Sequence, residues 1–313
     1  MLVRHCLCLL AIAWLLTSIS VFATASMAKT TTITDSDKRT LVFNKPFQRI
    51  ISLYPAHTKN LMDLGATDAI IATGRTDDQL PNLAKVHFRD DPERLIALRP
   101  DLVLIRPMIS RSYPQLIKRL QQVNIQVVSL QPARIDELLS YWTTLGKLTG
   151  KEQESMAMIR LFSQRRHALQ QQLAAIPETK RKRVYFEAIH KRMKTFAPQS
   201  MAIFVLETAG GINMAADAPQ VRSTNIAAYS KERILSKANR IDVFLAQQGR
   251  MNPVTIEDIR KEAGFDMIKA VRENQIFLID EKLVSRPTMG LLDAAAIIMR
   301  ILYPEVTNLG AST

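Results

Sequence analysis

The sequence predicts an α/β protein of two like lobes joined by a single long α-helix, with a ligand cleft between the lobes. Three observations carry this expectation. First, one passage is written twice, with Glu93 of the first copy matching Glu232 of the second. Pro92-Glu93-Arg94-Leu95 through Ile105 and Ser230-Lys231-Glu232-Arg233 through Ala246 share one plan. Each reads as a Glu-Arg pair opening a short helix, a turn, an Asp, and an apolar run suited to a buried parallel strand. Second, each copy follows a similar apolar strand, Arg49–Leu53 in the first and Arg183–Glu187 in the second. Third, the segment between the halves, Lys151–Ala175, holds no Gly or Pro, and its Met156, Ile159, Leu161, Phe162, Leu169 and Leu173 roughly follow helical spacing. A helix of ~25 residues at 1.5 Å per residue is close to 40 Å long. Two lobes about one joint enclose a cleft, a favoured place for ligands.

The elements follow in order. Thr30–Thr40 is polar and reads as either a ragged lead-in or an edge hairpin with Thr40–Asn44. Ile50–Leu53 is the first core strand. Thr58 is the expected cap of the next helix, which ends at Gly65. Ala69–Thr73 is a strand stopped by Gly74, Glu93–Leu98 a short helix, and Leu102–Ile105 a strand. Arg106–Arg111 reads as loop, Tyr113–Val123 as helix, Ile125–Leu130 as strand and Ile135–Lys147 as helix, with Gly150 marking a joint. In the second half, Arg183–Ile189 is a strand, His190–Ser200 a loop and Met201–Thr208 a helix ended by Gly210-Gly211. Ile241–Ala246 and Gln275–Asp280 are strands, Thr255–Ala263 a helix, and Leu291–Leu302 the closing helix.

The first residues have the pattern of a secretory leader: Arg4 and His5, an uncharged run from Cys6, then Ala23-Thr24-Ala25 as a small-x-small cleavage signal. Ser26-Met27-Ala28 is a second possible site, and an uncleaved anchor is the alternative for a run of this length. The expected organisation is leader 1–25, first lobe 26–148, linking helix 149–178 and second lobe 179–313. Both cysteines, Cys6 and Cys8, fall inside the leader, so no disulfide or thiolate site is expected in the mature chain. Neither lies after the apolar run, where a lipid-bearing cysteine would sit. The net charge of +13 fits nucleic acid, an anionic surface or an anionic small ligand. Scattered cations on an exported chain argue against nucleic acid.

Arg49-Ile50-Ile51-Ser52-Leu53, Leu64-Gly65-Ala66 and Ala97-Leu98-x-Pro100-Asp101-Leu102-Val103 resemble the binding-protein family that delivers ferric siderophores, haem and cobalamin to ABC importers. Ala209-Gly210-Gly211-x-Asn213, Ser230-x-Glu232 and Ala270-Val271 through Ile279-Asp280 resemble its second lobe. The resemblance runs in order along nearly all of the chain beyond the leader. It departs at Ala238-Asn239-Arg240-Ile241-Asp242, where the family usually has Asn-Pro-Asp. It implies two Rossmann-like lobes on one long helix and a periplasmic, non-enzymatic carrier. The implied partners are a small-molecule ligand and an ABC permease with its ATPase, the carrier itself being monomeric. By motif, Glu93 and Glu232 would form salt bridges with permease arginines. Placing negative charge in the first turn of each helix is the simpler role for both.

In that fold the loops after the strands face the cleft. The candidate ligand-binding residues are Tyr54, His57, Arg75, Arg89, Arg106, His190, Arg192, Arg222, Arg250 and Arg286. Arginine forks suit carboxylate, catecholate or phosphate oxygens, and a cleft rich in them favours an anionic chelate over a neutral ligand. Arg106, directly after a core strand, is the leading candidate. Tyr54 and His57 are the side chains able to coordinate ferric iron or haem. No intrinsic cofactor is expected; a ferric chelate, a corrinoid, haem or a metal oxyanion would arrive as cargo. Aromatic content of 6% weighs against the flat apolar walls that corrinoids and haem prefer. No Gly-x-Ser-x-Gly or His-Glu-x-x-His occurs, which argues against a hydrolase. A ligand sensor without a transporter is the remaining class.

Overall fold

A computed structural model describes residues 30–221 and 224–307; the leader and Arg222 lie outside the described residues. The strands are β1 (Thr31–Thr34), β2 (Thr40–Phe43), β3 (Ile50–Ser52), β4 (Ile70–Gly74), β5 (Ala84–Val86), β6 (Leu102–Ile105), β7 (Gln126–Ser129), β8 (Arg183–Ile189), β9 (Lys194–Phe196), β10 (Ile212–Asn213), β11 (Ile226–Ala228), β12 (Val243–Gln248) and β13 (Ile276–Asp280). The helices are α1 (Pro55–Asp63), α2 (Pro92–Ile96), α3 (Pro107–Ser112), α4 (Pro114–Gln122), α5 (Leu138–Thr149), α6 (Glu152–Ala174), α7 (Met201–Thr208), α8 (Lys231–Leu235), α9 (Ile256–Lys261), α10 (Lys269–Arg272), α11 (Glu281–Val284), α12 (Gly290–Leu302) and α13 (Pro304–Thr307).

The first lobe carries a wholly parallel sheet in the order β5-β4-β3-β6-β7. Its central strands are apolar runs because helices cover both faces; every residue of β6 is buried. Strand order reverses between β3 and β6, so their carboxyl ends border the crevice where open α/β sheets bind ligands. In the second lobe, β8 is flanked by parallel β12 and β13 on one side. On its other side β10 pairs beside its start and antiparallel β9 beside its end. β9 falls within the expected loop His190–Ser200, because three residues after a tight turn carry too little periodicity to mark a strand. That turn puts Met193 at φ +44°.

The repeat is real in three dimensions. Helices α2 and α8 each hold Glu at the second position and bury one apolar residue beneath, Leu95 and Ile234. The Asp before the next strand closes the same bond in each lobe. Asp101 accepts from the Arg49 amide at 2.9 Å, and Asp242 from the Arg183 amide at 3.0 Å. Each Asp therefore satisfies a donor at the start of its lobe's first core strand.

The linking helix α6 spans 23 residues, about 35 Å at 1.5 Å per residue. Its buried face is Ser155, Met158, Phe162 and Leu169, whereas Met156 and Leu161, expected inward, face out. Phe162 lies 5.2 Å from Trp142 of the first lobe and 6.2 Å from Phe204 of the second, ring to ring. One apolar core therefore runs through the joint. Arg165 of α6 also pairs with Asp293 at 2.5 Å. Two further corrections concern the first lobe. Thr58 does not cap α1, which starts at Pro55; its hydroxyl instead donates to Ser52 at 2.8 Å. Arg106–Arg111 is not a loop, because Pro107 opens α3, and the helix expected from Tyr113 begins at Pro114, Tyr113 being turned out ahead of the proline.

Candidate functional site

The cleft between the lobes has a volume of about 450 Å³ and is lined from both sides. Tyr54 and Arg106, one just beyond β3 and the other directly after β6, stand at the reversal of strand order in the first lobe. The Arg106 guanidinium lies over the Tyr54 ring, 4.6 Å from its centre. Its buried Nε has no hydrogen-bond partner among the described residues. Arg75 follows β4 and is held by Asp90 at 2.5 Å, so its charge is partly spent. From the second lobe come Arg250, in the turn after β12, and Arg286, beyond α11. Arg106, Arg250 and Arg286 have no carboxylate in salt-bridge range among the described residues. These three guanidiniums line one cleft together with Arg75, and Glu281 is the only acidic residue lining it among the described residues.

The neighbours of Arg250 explain its placement. Glu281 accepts from the Met251 amide at 2.9 Å, and a Cβ at Gly249 would stand 2.2 Å from the Glu281 carboxyl carbon. A side chain at 249 would therefore displace the Glu281 carboxylate. Ser285 donates to Gln247 at 2.7 Å, and Gln247 donates to the Ala188 carbonyl at 2.8 Å, tying α11 to β12 and β8. Met108, Met251 and Phe88 supply apolar wall. Met251 and Glu281 also line the cleft and are not among the residues expected from sequence. The signal for Glu281 was its position directly after β13, at the same sheet edge.

Four candidates do not meet in the cleft. His57 is fully buried and has both ring nitrogens engaged, Nδ1 with the Tyr141 hydroxyl at 2.7 Å and Nε2 with the Ile105 carbonyl at 3.1 Å. A carbonyl only accepts, so Nε2 carries the hydrogen and Tyr141 donates to Nδ1. Burial lowers its pKa to about 4. It is a core histidine with neither ring nitrogen free. His190 is buried on another face of the second lobe, where it borders a 330 Å³ groove with Glu262 and Asn252. Arg89 donates to the Tyr113 hydroxyl at 2.7 Å, and exposed Arg192 lies in the turn between β8 and β9. Neither lines the cleft. Tyr54 does line it, but burial pushes its phenol up against the pull of Arg106 and Arg286. A neutral phenol under a guanidinium positions that guanidinium better than it binds iron.

His57 belongs to a buried network that reaches the second lobe. Asn60 donates to the Tyr141 hydroxyl at 3.2 Å and to the Pro287 carbonyl at 2.9 Å, and accepts from Trp142 at 3.0 Å. Pro287 directly follows Arg286, so the network sets where that cleft arginine starts. Lys282 and Asp78 add a second bridge across the lobes at 2.8 Å. Glu93 and Glu232 are both exposed, on α2 and α8. Glu93 pairs with Arg119 at 2.7 Å, while Glu232 has no salt bridge among the described residues. Bonding to Ser230 holds the Glu232 carboxyl below its ordinary range.

Among the described residues no helix is long and apolar enough to cross a membrane, and no group of His, Cys, Asp and Glu could hold a metal ion. A family model described as periplasmic binding protein matches residues 50–283. The chain is 23% identical over 280 residues to YvrC of Bacillus subtilis, an uncharacterized ABC transporter substrate-binding lipoprotein, covering 88% of this chain and 86% of that one. It is 24% identical over 261 residues to the vitamin B12-binding protein of Vibrio cholerae, covering 80% and 88%. A possible iron-binding (periplasmic solute-binding) protein from Staphylococcus epidermidis matches with a TM-score of 0.70 at 25% identity. That match covers 83% of this chain and 100% of the other.

Proposed function

The chain belongs to the periplasmic binding protein family, and from that premise we propose that it carries an anionic iron complex of the ferric-siderophore kind to an ABC importer. The observation that carries this reading is the convergence of Arg106, Arg250 and Arg286, contributed by both lobes and left without carboxylate partners. Such forks donate paired, charge-assisted hydrogen bonds to planar oxygen anions. Because the arginines come from opposite lobes, an anion between them screens their repulsion and draws the lobes together. The orphaned Arg106 Nε is the donor with most to gain from a ligand oxygen. Binding requires no covalent step, so the chain is read as a carrier and not an enzyme.

A corrinoid cargo is the second reading, favoured by the vitamin B12-binding relative. Tryptophan and tyrosine quenching against a ferric catecholate, a ferric hydroxamate, haemin and cyanocobalamin separates the two. Under the leading reading, ferric anionic complexes quench, and Arg106→Ala weakens them about tenfold, the loss of one charge-assisted contact. Binding of cyanocobalamin alone, indifferent to Arg106→Ala, would replace the cargo while keeping the family. For delivery, Glu93 and Glu232 are assigned to permease docking, as matched exposed carboxylates facing a basic partner. The location assigned is the periplasm, with release of the leader before Ser26; N-terminal sequencing of the exported protein checks it, and a retained, lipidated start would refute it.

A further inference from the structure

The second lobe buries a charged cluster that the cleft does not use. Glu187, on the central strand β8, is wholly buried, and its Oε2 lies 2.9 Å from Nδ1 of His190. The opposite nitrogen, Nε2, faces Oε2 of Glu262 at 3.6 Å, just beyond α9. The other Glu262 oxygen forms an ion pair with Lys231, the first residue of α8 and the neighbour of Glu232. Toward the cleft, Asn252 accepts from the His190 amide at 2.8 Å and donates to the Gln247 carbonyl at 2.9 Å. Its amide also reaches Glu187 at 3.5 Å. Asn252 ends the turn that carries Arg250 and Met251. The cluster thus touches, at its two ends, the turn that lines the cleft and the helix that presents Glu232.

The imidazole decides how firmly those ends are joined. A neutral ring donates from Nδ1 to the buried carboxylate, leaving the Nε2 lone pair against Glu262, where two acceptors repel. An imidazolium donates from both nitrogens and bridges the carboxylates. The other groups around it are Asp258 and Lys261 on α9, the adjacent Lys191, and the Phe265 ring, edge-on with its centre 6.2 Å from that of the imidazole. The nearest charges are the carboxylates of Glu187 and Glu262, at 2.9 and 3.6 Å from the ring nitrogens, and being closer than Lys191, Lys231 and Lys261 they favour the charged ring. The bond to Glu187 accordingly raises the His190 pKa above its ordinary value. Burial raises that of Glu187 against the pull of His190.

We propose that His190 is a proton-operated clamp: as imidazolium it locks α8, with Glu232, to β8 and the Arg250 turn, and on losing its proton it frees α8 from them. Because its set point lies above that of a free imidazole, acidity tightens the clamp and alkalinity opens it. Only the meaning given to Glu232 rests on the docking reading; the clamp itself does not.

The test needs neither cargo nor permease. In the uniformly 15N-labelled protein, imidazole and backbone amide shifts are followed from pH 5 to 9. The expected result is a His190 titration above pH 6.5, with the amides of 231–235 and 249–252 inflecting at the same pH. In Glu262→Gln the inflection at 231–235 disappears while that at 249–252 persists; in His190→Gln both disappear, with an unchanged circular dichroism spectrum. Flat amides at 231–235 across the wild-type His190 titration would overturn the proposal. So would an inflection there that survives Glu262→Gln, a variant that leaves Glu187 and His190 in place should His190→Gln fail to fold.

Discussion

Both lobes bury a histidine just beyond their first core strand, and the two are tuned in opposite directions. His57, after β3, is surrounded by a hydroxyl and a carbonyl and is held neutral by burial, at a pKa of about 4. His190, after β8, meets Glu187 and Glu262 and is held toward its charged form. The backbone repeat around them is close: helices α2 and α8, the aspartates at 101 and 242, and the parallel strands that follow. What differs is the chemistry at the strand ends. The first lobe offers one unpaired cation, Arg106, to the cleft, while the second offers Arg250 and Arg286 and also sets two carboxylates, Glu187 and Glu262, around its buried histidine. One scaffold can therefore be duplicated and its halves given separate duties by side chains alone.

The comparison can be broken most decisively at its most symmetric point. Glu93→Lys with Glu232→Lys should reduce cargo uptake by the reconstituted importer to background, with cargo affinity unchanged. Reversal of either alone tests whether the lobes contribute equally. Since Glu93 must first leave Arg119, an exposed pair worth little, the Glu232 reversal is expected to be the more damaging. Uptake unaffected by the double reversal would withdraw the docking assignment.

Next in size is the stability of the two histidine sites. His57→Leu leaves the Tyr141 O–H without its acceptor and removes one of the two bonds to the Ile105 carbonyl, at a cost of about 2–3 kcal/mol. His190→Gln should cost about 1 kcal/mol, because glutamine still bonds to Glu187. Urea unfolding of both variants measures the contrast, and equal losses would contradict it.

The pH dependence has opposite signs in the two lobes. His57 sits below its unfolded pKa of about 6.5, so its contribution is complete above that pH and is lost as pH falls toward 4. Over that window the loss is about 3 kcal/mol. His190 sits above the unfolded value, so its contribution is complete below about pH 6.5 and is lost as pH rises through its folded pKa. Melting curves across pH should show both limbs. His57→Leu should flatten the acid limb and His190→Gln the alkaline one; a shared limb would mean that the sites are coupled.

The smallest effect expected is at Gly249. Alanine there pushes Glu281 off the Met251 amide and turns Arg250, weakening an anionic cargo about threefold to tenfold, or roughly 1 kcal/mol. An unchanged affinity would remove Arg250 from the ligand contacts.

Much of this architecture could be read from residue order. The runs Ile50–Leu53, Leu102–Ile105 and Ile241–Ala246 announce buried parallel strands because covered strands need apolar residues on both faces. The Gly- and Pro-free stretch announces α6, whose ends fall within one residue of the expected Lys151–Ala175. Short strands β5, β9 and β11 were not legible, since three residues show no period. Of the ten candidate ligand residues, Tyr54, Arg75, Arg106, Arg250 and Arg286 line one cleft. The loop rule could not separate them from Arg89 and Arg192, because side-chain direction depends on local partners such as Tyr113.

By itself, then, the sequence determined the two-lobed plan, the linking helix and the paired glutamates, all of which follow from local period, composition and repetition. Only the tertiary structure decided that Arg106, Arg250 and Arg286 converge, that His57 is sealed inside, and that His190 lies between two carboxylates. The first outcome depends on how α6, through Phe162, sets one lobe against the other, and the two histidine sites on how distant elements of a single lobe pack and on which polar groups burial leaves without water. No stretch of a dozen residues contains that information.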